Sequence, residues 1–430
     1  MNPPNREDEF QFDPIDSETT DTSAGRQNNI YPDLSVRLQT QKNTLKDNAG
    51  AQPPFGGIAA QQWNDWQWHV RNRITSAPEL EKCISLSPEE RTAIDFSQGV
   101  SRFSLTPYWV SLMDPQDTAC PIRRQSIPLS EEFKASVHES YDPGNDGIKI
   151  ADGCLTHIYP DRVMLSIHSQ CIVYCRFCSN KKIPSDKNII PGNASIPGIQ
   201  EFPAISNRDW QEITDYLTQH PGIREVIVSG GEPLLLRDEL LHKTFARLKS
   251  IPTIKTLRLE TRIVSLLPQR ITPEFVQILK QFQPLYIVMH INHPKEITRD
   301  FTAACARMTD SGIPLVSQTV LLKDINDNSQ NLYNLFLTLF KLRIRPYRLV
   351  QCLPSGGADH FRTDISSGLK LINFLRGRMS GLSLPEYVVE TVGGKIPLHH
   401  ESILSRNKKR VLLKNYEGKI FVYPEKNFAN

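Results

Sequence analysis

Short runs of β-branched and aliphatic residues alternate with amphipathic segments through the middle of the chain. The runs have the length of strands buried on both faces, and the segments between and after them place apolar residues at helical spacing. The predicted strands are 162–167, 224–229, 256–261, 285–291, 314–322 and 347–353, and the predicted helices 208–220, 238–250, 272–282, 298–311, 329–342 and 367–377. Strand–helix units in series predict an α/β fold with a parallel sheet and right-handed crossovers.

The first 54 residues show no such period. They are rich in Asn, Gln, Asp, Thr, Ser and Pro and hold few large apolar side chains. Because such a segment cannot offset the entropy lost on ordering, we predict a disordered extension over 1–54. Aromatic and aliphatic residues at helical spacing return near Trp63, in WNDWQWHVRNRI, and a Ser-Pro-Glu-Glu helix start follows at Ser87. Residues 55–155 are therefore predicted to form a helical N-terminal region.

The pattern changes again beyond the last predicted helix. A short strand begins at Glu386 and leads into a Gly-Gly-Lys turn, and two apolar runs, 411–414 and 420–423, flank the turn sequence NYEGK. This order predicts a hairpin. We assign 156–380 to the α/β unit and 381–430 to a small C-terminal β extension.

Composition and charge narrow the class of protein. The 430 residues include 50 basic and 47 acidic side chains, a net charge of +3 that is too even to indicate a nucleic-acid or membrane partner. No signal-like segment begins the sequence, and no apolar run approaches the ~20 residues of a membrane helix. Irregular spacing of the eight cysteines favours thiols and a metal site over disulfides. We expect a cytoplasmic protein.

Three cysteines lie close together directly after the first predicted strand. The segment SQCIVYCRFC spaces Cys171, Cys175 and Cys178 as C-x3-C-x2-C. Three thiolates can hold three irons of a [4Fe–4S] cluster and leave the fourth iron for an amino and carboxylate pair, such as that of S-adenosylmethionine. There are two alternatives: a zinc site with a distant fourth ligand, or three cysteines that bind no metal. Zinc sites usually combine one Cys-x2-Cys pair with a second pair of ligands, and no second pair lies nearby in the sequence.

Gly230, Gly231 and Glu232 begin a Gly-Gly-Glu-Pro stretch directly after the second predicted strand. Taken alone it indicates only a tight turn. After the cysteine motif it resembles the radical S-adenosylmethionine superfamily, in which this stretch receives the methionine part of the nucleotide. The segments CPIRRQ, HIYPDRV, SGGEPL, LPQRIT, HINHPKEIT, RIRPY, DHFRT and NYEGKI further resemble the lysine 2,3-aminomutase family. The resemblance implies a partial (β/α)6 barrel.

The family resemblance implies a second cofactor, pyridoxal 5'-phosphate, held by a lysine after a glycine-rich turn near the C-terminus. Lys395 in ETVGGKIPL matches that lysine, although alone it would be an ordinary turn residue. Arg162 matches an arginine near the cofactor phosphate, with a surface ion pair as its alternative. Gln318 and His290 stand at predicted strand ends and are assigned to the cofactor pocket.

Four further positions bear on the substrate of such an enzyme. Asp142 matches the family aspartate near the substrate amino group. Asn180 stands where the family has an arginine for the substrate carboxylate, and a neutral amide is a poor replacement. Leu353 and Glu390 replace two aspartates that pair with the side-chain ammonium of lysine. These departures affect residues implied to bind the substrate, so the substrate stays open. The motifs implied to bind the cofactors are unchanged.

The leading hypothesis is an amino acid 2,3-aminomutase that moves an amino group from the α to the β carbon. One alternative is the same chemistry on another amino acid or on protein-bound lysine. The other is a non-catalytic relative that binds the cluster. The resemblance implies an electron donor such as flavodoxin or ferredoxin and leaves open whether the chain forms a homo-oligomer.

Overall fold

The computed structural model describes residues 55–100, 102–134, 147–178, 205–354 and 357–426. The predicted extension 1–54 and the candidate substrate residues Asp142 and Asn180 lie outside these ranges. None of the helices in the described part of the chain is both long and apolar enough to cross a bilayer.

A ten-stranded sheet forms the centre of the protein, with its strands neighbouring one another in chain order from β1 to β10. Strands β3 to β9 are parallel, whereas β1 and β2 at one edge and β10 at the other are antiparallel. The strands are β1 Ile148–Ile150, β2 Leu155–Tyr159, β3 Arg162–Ser166, β4 Glu225–Ser229, β5 Thr256–Thr261, β6 Leu285–His290, β7 Leu315–Leu321, β8 Ile344–Gln351, β9 Glu386–Thr391 and β10 Gly394–Pro397.

Helices cover the sheet and form most of the N-terminal region. They are α1 Ala60–Trp63, α2 Trp66–Arg71, α3 Ala77–Leu80, α4 Pro88–Val100, α5 Pro107–Ser111, α6 Pro121–Arg124, α7 Asn207–Gln219, α8 Asp238–Lys249, α9 Ile263–Leu266, α10 Pro273–Lys280, α11 Arg299–Asp310, α12 Ser329–Lys341 and α13 Ile365–Leu375. Single 3-10 turns occur at Ser130–Phe133, Pro233–Leu235, Pro268–Arg270, Pro294–Glu296 and Asp359–Phe361.

Local sequence sets where the crossover helices begin. Thr298, Asn328 and Asp364 precede α11, α12 and α13, and each side chain accepts a hydrogen bond from the backbone N–H three residues later. Ser206 and Asp209 cap α7 reciprocally, since each side chain bonds the backbone N–H of the other. Such caps satisfy N–H groups that have no partner inside the helix.

The two faces of the sheet differ in polarity. Leu257 and Leu259 of β5 are fully buried in the main hydrophobic core, together with helix residues such as Phe245. Arg258 and Glu260, which alternate with these leucines, point to the opposite, half-buried face, because successive side chains of a strand alternate. The polar face is the inner face of the partial barrel.

The predicted α/β fold is confirmed, with strands β3 to β8 at the six predicted places. The predicted hairpin is also confirmed, as β12 Arg410–Lys414 and β13 Ile420–Pro424 pair antiparallel beside β11 Ile403–Arg406. One strand has a role that was not predicted: β9 pairs parallel with β8 and extends the main sheet. The division into 55–155, 156–380 and 381–430 stays a prediction.

Candidate active site

The carboxyl ends of β3 and β4 carry the two sharpest motifs of the sequence. Ser166 and Ser229, the last residues of these strands, are register partners in the parallel pair. The loops that follow them begin side by side, and one holds the three cysteines while the other holds Gly230 and Gly231. Functional residues of parallel sheets gather at this edge.

The two glycines allow these loops to touch. Gly230 has a φ of 126°, and a Cβ on Gly231 would stand 2.0 Å from the carbonyl oxygen of Gln170. The Gly231 N–H donates to the His168 carbonyl at 2.6 Å, and the Glu232 N–H donates to the Gln170 carbonyl at 2.7 Å. Only glycine tolerates both this backbone conformation and this approach. The turn is therefore fixed against the residue that precedes Cys171.

Glu232 ties the turn to β5 from inside the protein. Its carboxylate accepts hydrogen bonds from the Thr261 hydroxyl at 2.5 Å and the Arg262 backbone N–H at 2.9 Å. Burial raises the pKa of the Glu232 carboxyl, while these hydrogen bonds oppose the rise. The side chain of Glu232 thus holds the loops in place.

The three thiols share one environment. Cys171, Cys175 and Cys178 are half-buried and unbridged. Burial raises the pKa of the Cys171 thiol well above its usual range, and the neighbouring Cys178 and Cys175 thiols add to the rise. The Arg262 guanidinium donates a hydrogen bond to Cys175 Sγ at 2.7 Å. Three thiols in one loop and the cation beside Cys175 supply the donor chemistry of a [4Fe–4S] cluster, which carries negative charge on its sulfurs.

A buried ion pair anchors the cysteine loop. Arg176 lies between Cys175 and Phe177, and both its side chain and that of Glu132 are fully buried. Arg176 donates from Nε to Glu132 Oε1 at 3.0 Å and from Nη2 to Oε2 at 2.6 Å. A buried pair leaves an uncompensated charge when one partner is removed.

We expect Glu132→Ala to lower the free energy of unfolding by about 3–5 kcal/mol, because it strands the buried Arg176 guanidinium. Urea unfolding of the cluster-free protein measures the change. Glu131→Ala is the matched control, since Glu131 is the exposed neighbour. Equal stability of the two variants would show that the ion pair does not anchor the loop.

A second group of polar side chains lies on the inner face of the sheet. Lys395 of β10 pairs in register with Glu390 of β9, with 3.8 Å between Nζ and Oε1. Glu390 raises the pKa of the Lys395 amine; burial opposes the rise and Glu260 adds to it. Burial raises the pKa of the Glu260 carboxyl, but the charges of Lys395, Arg258 and Arg348 oppose this rise, and the pKa lies below its usual value.

His290 and Gln318 end this group on β6 and β7. Their Nε2 atoms are 3.1 Å apart, so the amide N–H donates to a neutral imidazole. Burial lowers the pKa of His290 to about 4; the charges of Arg262 and Lys395 lower it and that of Glu260 raises it. His290 therefore stays neutral at pH 7, and it experiences the charges of both the cysteine side and the lysine side.

Tyr159 connects Lys395 to Arg162. The Lys395 backbone N–H donates to the Tyr159 hydroxyl at 2.6 Å, and the Arg162 guanidinium lies 3.8 Å from the centre of the Tyr159 ring. Gly394, at φ 95°, allows this approach, since a Cβ there would stand 2.5 Å from the Tyr159 hydroxyl oxygen. Arg162 also pairs with Asp161 at 2.7 Å. Tyr159 thus lies against both the Arg162 guanidinium and the backbone of Lys395.

Comparison with known proteins identifies the family to which the chain belongs. The sequence profile of the radical SAM superfamily matches residues 165–336, and that of lysine-2,3-aminomutase matches residues 372–429. L-lysine 2,3-aminomutase of Acetoanaerobium sticklandii is 38% identical over 86% of this chain and 87% of its own length. The chain belongs to the lysine 2,3-aminomutase family. L-lysine 2,3-aminomutase of Clostridium subterminale is 39% identical over 86% of each chain, and glutamate 2,3-aminomutase of Clostridioides difficile is 35% identical over 84% of this chain and 82% of its own.

Membership of the lysine 2,3-aminomutase family confirms the predicted class of enzyme. The protein is an isomerase of the radical S-adenosylmethionine superfamily, which implies a [4Fe–4S] cluster and S-adenosylmethionine. The alternative of a non-catalytic relative has no support among the relatives, which are named for 2,3-aminomutase activity.

Sequence reasoning missed the network behind the cysteine loop of this family member. Arg262 Nη2 donates to Gln125 Oε1 at 2.6 Å, and the Gln125 amide N–H donates to Glu296 Oε1 at 3.1 Å. The guanidinium carbon of Arg262 also lies 5.3 Å from the ring centres of both Trp109 and Phe177. CPIRRQ and HINHPKEIT carry Gln125 and Glu296, but nothing in their spacing indicates that they meet.

Replacing Arg262 by glutamine is expected to lower the reduction potential of the cluster, because a cationic donor to Cys175 Sγ is lost. We expect roughly a 10–100-fold slower cleavage of S-adenosylmethionine, the range typical of outer-sphere changes. Redox titration followed by electron paramagnetic resonance measures the potential, and the exposed Arg345→Gln is the control. A potential equal to that of the parent would exclude this role.

Proposed function

We propose that this chain is an amino acid 2,3-aminomutase in which Cys171, Cys175 and Cys178 hold the cluster and Lys395 holds pyridoxal 5'-phosphate. The observation that carries the proposal is the position of His290 at the end of β6. Its carbonyl accepts from the hydroxyl of Ser265, in the helix that follows Arg262, and its imidazole accepts from the amide of Gln318 on β7. The charges of Arg262 on the cysteine side and Lys395 on the lysine side both act on the His290 imidazole. This position of His290 supports two cofactor sites that open onto one space at the carboxyl edge of the sheet, which we call the chamber. A radical formed at one site needs that proximity to reach a substrate held at the other.

When bound, the cluster and S-adenosylmethionine supply a carbon radical that takes the β hydrogen, and pyridoxal phosphate supplies the aldehyde that holds the migrating nitrogen. Arg162, stacked on Tyr159, is suited to the phosphate because its planar fork binds two oxygens at once. Gly230 and Gly231 set the backbone that receives the methionine part of the nucleotide. His290 and Gln318 lie between the two sites. Because His290 is neutral at pH 7, it adds no charged imidazolium to the space between them.

Lys395 needs to lose its proton before it bonds to the aldehyde. Glu390 raises the Lys395 pKa, so Glu390→Gln is expected to lower it. The pH midpoint for attachment of pyridoxal phosphate then moves to lower pH, because the free amine prevails from a lower pH upwards. Absorbance of the bound cofactor against pH measures the midpoint, and Glu401→Gln, an exposed change, is the control. A midpoint that stays in place would exclude Glu390 as the carboxylate that holds this proton.

The substrate is proposed to be an amino acid whose side chain is less cationic than that of lysine. Leu353, at the position implied to carry an aspartate for the lysine ammonium, is 7% exposed and is the second residue after β8. An apolar side chain offers a cation no partner. Glu390 retains a charge, but that charge lies beside Lys395. We also propose that the enzyme works in the cytoplasm with a flavodoxin- or ferredoxin-type electron donor.

Anaerobic assays of the reconstituted enzyme with reductant, S-adenosylmethionine, pyridoxal phosphate and a panel of amino acids test this proposal. Mass spectrometry after chiral derivatisation separates β-amino isomers from their α-amino parents. We expect a β isomer from at least one amino acid other than lysine, and a gain in lysine turnover on Leu353→Asp. The proposed specificity would be refuted if the parent enzyme converted lysine alone and Leu353→Asp lost that lysine turnover.

A further inference from the structure

Arg348 lies on the same inner face as Lys395, and neither the cluster nor pyridoxal phosphate is assigned to it. It stands on β8 with Gln318 as its register partner on β7, and Gln318 contacts His290. Its charge lowers the pKa of Lys395 and of Glu260. The guanidinium is therefore inside the barrel, near the lysine.

Among the described residues, no carboxylate forms a salt bridge or hydrogen bond with the guanidinium of Arg348, and Glu260 interacts with it through charge alone. Its Nε is buried without a hydrogen-bond acceptor, and its nearest aromatic contact is its neighbour Tyr347, 4.3 Å from ring centre to guanidinium carbon. Glu386, its register partner on β9, is exposed and forms no ion pair with it. A buried donor without an acceptor is unfavourable, so the side chain is prepared for an anion that arrives with a ligand.

The other arginines of the inner face are already engaged. Arg258 donates to both carboxylate oxygens of Glu225, at 2.8 and 2.9 Å. Arg162 pairs with Asp161 and stacks on Tyr159. Arg258 therefore has no free fork to offer, and Arg162 is assigned to the cofactor phosphate, whereas Nε of Arg348 is buried without an acceptor.

The chemistry of the substrate supplies the missing anion. Every amino acid brings an α-carboxylate into the chamber, and an acidic one brings a second on its side chain. Asn180, at the position implied to hold the α-carboxylate, carries no charge. We propose that Arg348 binds a carboxylate of the amino acid substrate through its paired N–H donors. This assignment rests on the proposed function and adds the residue that positions the substrate.

Charge balance for Glu260 is the competing role for Arg348, since the two side chains interact electrostatically. The two roles predict different ligand preferences. A carboxylate-binding arginine discriminates between a carboxylate and the amide of the same shape. A residue that only balances Glu260 affects both ligands alike.

Binding titrations of the reconstituted holoenzyme distinguish the two roles without turnover. The absorbance of bound pyridoxal phosphate reports amino acid binding. One pair of ligands is the amino acid turned over best in the panel and its α-amide; the other pair is glutamate and glutamine. We expect the parent to prefer the carboxylate over the amide by roughly 10-fold or more in at least one pair. If Arg348→Gln loses the preference for the amino acid over its α-amide, Arg348 binds the α-carboxylate. If it loses the preference for glutamate over glutamine, Arg348 binds the side-chain carboxylate.

Arg345→Gln, an exposed change on the same strand, is the control and is expected to keep the parent's preference. Arg348→Lys keeps the charge beside Glu260 but loses the paired donors, so its preference is expected to fall several-fold, and it replaces Arg348→Gln if that variant does not fold. A preference equal to the parent's in the variants, or equal weakening of carboxylate and amide, overturns the proposal. A parent that binds no amino acid refutes the proposed function instead.

Discussion

Replacing Cys175 by serine is expected to reduce the cleavage of S-adenosylmethionine to the background of the reductant. Iron of a reduced cluster binds thiolate strongly and a serine hydroxyl poorly. Cys175 accepts the hydrogen bond from Arg262, so the variant also leaves a buried guanidinium without its sulfur partner. Loss of one ligand leaves two protein thiols for the cluster, which then no longer presents a single open iron to the nucleotide.

The production of 5'-deoxyadenosine, measured by chromatography and mass spectrometry, and the iron content of the protein test this prediction. Cys154→Ser is the matched control, because Cys154 is half-buried and lies outside the cysteine loop. Cys154→Ser is expected to keep the iron content and the 5'-deoxyadenosine production of the parent. Parent-like iron content and cleavage in Cys175→Ser would remove Cys175 from the cluster.

Lys395→Ala is expected to abolish the β-amino product while the cluster and its reduction remain. The amine is the proposed attachment point of pyridoxal phosphate, and alanine keeps the backbone N–H that donates to Tyr159. The loss should therefore be chemical rather than structural, because the β9–β10 hairpin retains its backbone hydrogen bonds.

Two readouts separate these roles. Absorbance of the cofactor after gel filtration should disappear in Lys395→Ala, and the electron paramagnetic resonance of the reduced cluster should persist. Lys414→Ala, an exposed change on β12, is expected to behave as the parent. A Lys395→Ala enzyme that still retains the cofactor and forms product would assign the attachment to another lysine.

The strands could be predicted from the sequence because each is encoded by a short run of neighbouring residues. Runs such as 256–261 carry the length and branching of buried strands, and β5 begins and ends at those residues. Pairing is not local. The segment from Glu386 was recognised as a strand, but its parallel contact with β8 depends on α13 crossing the sheet, which hydrophobic periodicity does not encode.

The same limit applies to the site. Cys171, Cys175 and Cys178 were predicted because their spacing is contained in a few residues. Arg262 and Gln125 are 137 residues apart, Gln125 and Glu296 are 171 apart, and Tyr159 and Lys395 are 236 apart. Such contacts arise only when the folded sheet brings distant segments together, as it does for Tyr159 of β2 and Lys395 of β10, which lie near opposite ends of the strand order. Arg348 was missed for a related reason, since an arginine in a strand pattern gives no sign of which face it occupies.

Transfer of the amino group within one molecule is the central claim, and an isotope crossover experiment tests it most directly. The amino acid turned over best is supplied as a mixture of unlabelled molecules and molecules carrying both heavy nitrogen and heavy carbon, with the reduced holoenzyme and S-adenosylmethionine. We expect β-amino product in which heavy nitrogen stays with heavy carbon. Products that combine heavy nitrogen with light carbon, or no β-amino product from any amino acid, would contradict it.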